Sequence, residues 1–190
     1  MCITEDKLVE AYGNATPYER FLLIYKNYSV FPQLIDCYEA GLFKKIKDEV
    51  EYNRRAKCGD DLGVRVQTSF KWNPVEAEGN KNLMIREALE KCNFTGNILM
   101  ETDTPEKHKR DILTIHMMRE EYKVFERALM ALPPSEFRIN YRYLHDRCKL
   151  TLIAEDEDKA YQTICNVVSA AKKLIELRAV PYFREVILED

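Results

Sequence analysis

A chain of 190 residues with 46% hydrophobic and 32% charged positions, and only 6 Gly and 7 Pro, has the balance of an ordered helical protein with room for a core, as one domain or two small lobes. That balance excludes a disordered or many-turned all-β chain. A net charge of −3 excludes the polybasic class, so any nucleic-acid contact must use a local patch.

The pattern along the chain is read as helix almost throughout. Residues 4–13 form a short candidate helix ended by glycine. A second begins at Thr16-Pro17-Tyr18-Glu19, where Thr16 suits the N-cap, Pro17 the first helical position and Glu19 the far side of a capping box. Its apolar face is Phe21, Leu22, Ile24 and Tyr25. Pro32 opens or kinks a further helix, with Leu34, Ile35, Tyr38, Leu42 and Ile46 at three- and four-residue steps. The charged stretch 44–57 carries both signs and reads as a solvated helical face.

From residue 58 to 80 the pattern breaks, and alternation at Val64, Val66 and Thr68 allows one short extended piece within a connector. Residues 80–92 are helical again and 93–104 a loop, in which Asp103 or Thr104 would cap a long helix from Pro105. Ile112, Ile115, Met118, Tyr122, Phe125, Leu129 and Leu132 mark its buried side until Pro133-Pro134 stops it. The expected fold class is therefore all-α. It divides into an N-terminal helical lobe (1–57), a connector with one helix (58–104), and a long helix followed by a C-terminal three-helix unit and tail (105–190).

That last unit carries the most information. A helix capped by Ser135 would present Phe137, Ile139, Tyr141 and Leu144. A short helix over 150–156 presents Leu150, Ile153 and Ala154, and after a break at Glu157-Asp158 a third presents Ile164, Val167, Val168, Ala171 and Leu174 to the same core. Two helices joined by a tight turn, with a small residue where their axes cross, are the geometry of a helix-turn-helix, and Ala154 is that small residue.

On these residues the chain resembles the C-terminal helix-turn-helix of sigma-70-type factors, their region 4, and is most similar to the sigma-like transcriptional regulators of Gram-positive phages, the ArpU-like group. The matching stretches are Leu132-Pro133-Pro134-Ser135-Glu136, Tyr141-Arg142-Tyr143-Leu144, Leu152-Ile153-Ala154-Glu155, Gln162-Thr163-Ile164 and Ala171-Lys172-Lys173-Leu174. The turn departs from the family pattern. Where glycine between two apolar residues is usual, this chain has Glu157-Asp158-Lys159, and Asp adopts the left-handed conformation less easily than Gly.

The resemblance implies a cytoplasmic transcription regulator that binds DNA, RNA polymerase or both, with no enzymatic activity and no cofactor. Lys159, Gln162, Thr163, Asn166, Lys172 and Lys173 would face DNA, the amides reading base edges and the lysines neutralising phosphates. The run Glu155, Asp156, Glu157 and Asp158 points to another class, a viral anti-defence or host-directed inhibitor whose acidic face binds a host protein or nucleoprotein complex. Homodimerisation is left open.

Other chemistry finds little support. His108, His116 and His145 lie too far apart for a local metal motif, and no phosphate-loop, dinucleotide or nucleophile-elbow glycine pattern occurs. Lys107, His108, Lys109 and Arg110 form a basic cluster at a helix start, a candidate phosphate contact. The opening MCITEDKLVEAYG lacks the features of a signal peptide, and no run approaches the roughly 18 apolar residues of a membrane span. Cys2, Cys37, Cys58, Cys92, Cys148 and Cys165, never in a C-x-x-C pair, are accordingly expected as reduced thiols.

Overall fold

The computed structural model describes residues 5–59, 74–95 and 97–184, and every regular element among them is helical. In chain order these are α1 (Glu5–Gly13), α2 (Pro17–Asn27), α3 (Phe31–Gly59), α4 (Pro74–Lys91), a 3-10 turn (Ile98–Glu101), α5 (Pro105–Met130), α6 (Pro134–Leu144), α7 (Leu150–Asp156), α8 (Tyr161–Ala179) and a second 3-10 turn (Val180–Tyr182). The extended piece expected at 64–68 lies outside the described residues. Among the described residues, no helix is long and apolar enough to cross a membrane. Cys37, Cys148 and Cys165 are free thiols.

Local chemistry explains several helix starts. The capping box before α2 forms as expected: the Glu19 amide donates to Thr16 Oγ1 at 3.4 Å, and the Thr16 amide donates to Glu19 Oε2 at 2.8 Å. Two starts differ from expectation. The fourth helix begins at Pro74, not at residue 80, because proline suits a first helical position and Gly79 is carried inside the helix. Likewise α6 begins at Pro134, with Pro133 at its N-cap and no side-chain cap, so Ser135 sits within the first turn and caps nothing.

Contacts gather the chain into two compact units, residues 1–36 with 117–190 and residues 37–116, so the divisions fall inside α3 and α5. In the first unit α2, the start of α3 and the end of α5 share an aromatic core. Phe21 meets Phe125 at 5.5 Å between ring centroids, and Phe31 stacks on Tyr122 at 5.8 Å. Arg20 is buried in the same core. It was no part of the predicted apolar face, and Leu22, which was, is only half-buried. The Arg20 guanidinium pairs with Glu121 through two bonds of 2.9 Å, and Tyr12 donates its hydroxyl to the same carboxylate at 2.6 Å. Arg20 further donates to the carbonyls of Ala15 and Arg184, and the Arg184 amide donates to Glu121. Burial beside that carboxylate pushes the Tyr12 hydroxyl well above its ordinary pKa.

The second unit is built on Leu42, Ile46 and Val50 of α3, Ile85, Ala88 and Leu89 of α4, Ile98 and Leu99, and Ile112 and Ile115 of α5. The charged run 44–57 is therefore more than a solvated face: Ile46 and Val50 enter the core. Arg54 binds Glu101 through two bonds of 2.7 and 3.0 Å, and Glu49 Oε2 lies 2.9 Å from Nε2 of the buried His108.

Candidate nucleic-acid interface

The α6–α7–α8 segment has its own small core, made by Ile139, Ile153, Ala154, Ile164 and Val168, with Tyr143, Cys148, Leu150 and Val167 against it. Ala154 is 6% exposed there. The third helix buries Ile164, Val168, Ala171, Ile175 and Ala179, a run of three- and four-residue steps that leaves its opposite side open. Asn140 is also fully buried. Its Nδ2 donates to the Glu136 carbonyl at 2.9 Å, and its Oδ1 has no partner among the described residues.

The α7–α8 connection closes as a Schellman turn. Asp158 takes the left-handed conformation at φ 49°, its amide donates to the Glu155 carbonyl at 3.2 Å, and the Lys159 amide donates to the Ala154 carbonyl at 3.0 Å. The aspartate thus occupies the left-handed position where glycine is the usual choice.

The acidic run beside this turn is half neutralised from within. Arg138 donates to Glu157 at 2.7 Å, Arg142 pairs with Asp156, and Lys159 approaches Glu157 at 4.0 Å. The Arg138 hydrogen bond holds the Glu157 carboxyl below its ordinary pKa. Glu155 and Asp158 remain exposed and border an open depression of about 440 Å³, with Thr151, Lys159 and Tyr161 also on its rim. The arginines were not singled out from sequence, although their four-residue spacing on one helix was a readable signal: it puts both on one face.

The six residues assigned to DNA fall into different situations. Gln162 and Asn166 lie one turn apart on the exposed side of α8, and Gln162 Nε2 donates to Asn166 Oδ1 at 3.1 Å. That bond leaves the glutamine oxygen as an acceptor and the asparagine nitrogen as a donor. Thr163 is exposed in the first turn of α8, and Lys173 extends the Gln162–Asn166 stripe with no side-chain partner among the described residues. Lys172 turns the other way, its Nζ 5.2 Å from the centre of the Tyr25 ring on α2. Lys159 is engaged with Glu157. One open stripe therefore collects Gln162, Asn166 and Lys173, while two lysines are held by local partners.

A further basic group lies in the same unit, and no local sequence pattern signals it. Arg147, in the left-handed region at φ 57°, donates to Ser29 Oγ at 2.8 Å and to the Lys26 carbonyl at 2.7 Å, next to Lys149 at the start of α7. These residues are distant in sequence, and only folding brings α2 against the α6–α7 loop. The basic cluster at 107–110, by contrast, is dispersed around its helix: His108 is buried, Lys109 pairs with Glu106 at 2.8 Å, and Lys107 and Arg110 are exposed. Among the described residues no group of three or more His, Cys, Asp or Glu side chains is arranged to hold a metal ion.

No protein-family model, curated protein or solved structure matches this chain.

Proposed function

We propose that the protein is a DNA-binding transcription regulator of the phage or prophage type, in which α7 and α8 act as a helix-turn-helix and α8 enters the major groove. The observation that carries this reading is the open stripe of Gln162, Asn166 and Lys173, set on a helix whose other side is anchored by its own core. Amides pair bidentately with adenine, and the outward acceptor on Gln162 and donor on Asn166 match its N6 amino group and N7. Lys173, with Lys149 and Arg147 beyond α7, supplies cations for phosphates on either side.

The acidic run is the main argument for the rival reading, an inhibitor that presents carboxylates to a basic target. Arg138 and Arg142 weaken that argument, since two of the four carboxylates are already paired. For the regulator, the same pairs reduce the repulsion that DNA phosphates would meet.

The test is selection of duplexes from a random library, followed by salt-titrated binding. Gln162→Ala and Asn166→Ala are each expected to relax preference at one position by about 1–3 kcal/mol. Lys173→Ala should weaken binding to every sequence and flatten the salt dependence. A library that returns no preferred sequence, or variants that bind as the parent does, would remove the assignment.

A further inference from the structure

A groove on the first unit runs between the end of α5 and the end of α8, about 630 Å³ in volume, and it is unlike the α8 stripe in chemistry. Val124 and Ala128 line it from α5, while Leu177 and Tyr182 wall it from α8 and the turn that follows. Leu177 and Tyr182 are 72% and 74% exposed, and Met130 on the last turn of α5 is 59% exposed. Among the described residues, the charged ones lining the groove are Arg127 and Arg178, with no carboxylate beside them. Arg178 is held in place by donating Nη1 to the Ala131 carbonyl at 2.9 Å, whereas the Arg127 guanidinium has no partner among the described residues.

We propose that this groove is a docking site for an amphipathic helix of a protein partner, one with a bulky apolar ridge flanked by aspartate or glutamate. Large apolar side chains exposed together around small ones are the mark of an interaction surface, and a trough between two helices suits a third. The two arginines select the flanking charge, because a guanidinium at the edge of an apolar trough gains most from a carboxylate held in the fork of its N–H groups. Nucleic acid fits poorly, since its phosphates would have to cross Leu177 and Tyr182. A second copy meeting the groove by two-fold symmetry would bring Arg127 and Arg178 of both chains together, and like charges oppose that arrangement. Leu177 lies one turn beyond Lys173 on the same face of α8, so the groove adjoins the stripe at its far end, and binding to it is measured without DNA.

The experiment is a display selection with random helical peptides against the full chain, with sedimentation of the free protein run beside it. Enriched peptides should carry Leu, Phe or Trp with acidic residues on the same helical face. The best of them should lose at least tenfold in affinity to Leu177→Asp, a change at an exposed position that circular dichroism should find folded. Selection against Arg127→Glu should reduce the acidic bias and admit lysine and arginine at the flanks. Three outcomes would overturn the proposal: no enrichment, enriched peptides indifferent to both variants, or a dimer of the free protein that Leu177→Asp dissociates, which would make a second copy the occupant.

Discussion

The two units bury ionisable side chains in different ways. In the first, Arg20 and Glu121 are both almost fully buried, and the pair is closed on every side. The carboxylate accepts from the guanidinium, from Tyr12 and from the Arg184 amide, and the guanidinium also donates to two carbonyls. In the second, His108 is equally buried but meets a Glu49 that is 18% exposed, and its Nδ1 has no partner among the described residues. With a carboxylate accepting at Nε2, the proton of a neutral ring sits there, and Nδ1 is a bare lone pair in the core. A closed pair resists loss of either member, because what remains is a buried charge; an open pair whose carboxylate still reaches water does not.

The largest expected effect follows from the closed pair. Glu121→Leu leaves the Arg20 charge in the core and should cost about 3–5 kcal/mol. Replacing both, Arg20→Leu with Glu121→Leu, should recover much of that loss, so the double variant ought to be more stable than Glu121→Leu alone. Urea unfolding with an unchanged slope is the measurement. A double variant no better than the single one would mean that the network's value lies in its bonds to Tyr12, Ala15 and Arg184, not in charge balance.

His108→Leu is the counterpart, and a much smaller change is expected, within about 1.5 kcal/mol of the parent. The substitution removes the orphaned Nδ1, and Glu49 keeps both its access to water and the amide of Asp103, which donates to it at 3.3 Å. A loss as large as that of Glu121→Leu would erase the distinction between the two pairs.

The contrast also marks how far the fold was legible beforehand. Apolar spacing found α5 in detail: Ile112, Ile115, Met118, Phe125 and Leu129 are all buried. It found α7 at residues 150–156 and the Asp158 turn, since both depend on local chemistry. It did not find Arg20, Glu121, His108 or Asn140, because a periodicity reading counts polar residues as solvated and their partners lie far away in sequence. Arg20 and Glu121 are separated by 101 positions. The amide stripe on α8 was legible, for it is a property of one helix. The engagement of Lys172 by Tyr25 was not, because nothing local puts α2 beside α8.

The smallest effect is one of pH, and it sharpens the account of the second unit. Asp111 lies one turn beyond Lys107 on α5, and burial pushes its carboxyl above the ordinary range. Tyr38, which hydrogen-bonds to it, and the positive charges of Lys107 and Lys45 oppose that shift without cancelling it. The sign follows from linkage. A carboxyl whose pKa is higher folded than unfolded binds more protons in the folded state. Its contribution to stability is complete below the unfolded pKa and is lost as pH rises through the folded one. Between those two values, a falling pH should therefore stabilise the parent relative to Asp111→Asn, which cannot titrate. The test compares urea midpoints of the two proteins from acid to neutral pH. The advantage of Asp111→Asn should be greatest near neutrality and shrink on acidification. An advantage that stays constant with pH would mean that Asp111 is solvated like an ordinary surface carboxylate. A neutral-pH loss in the variant would make the Tyr38 bond the larger influence.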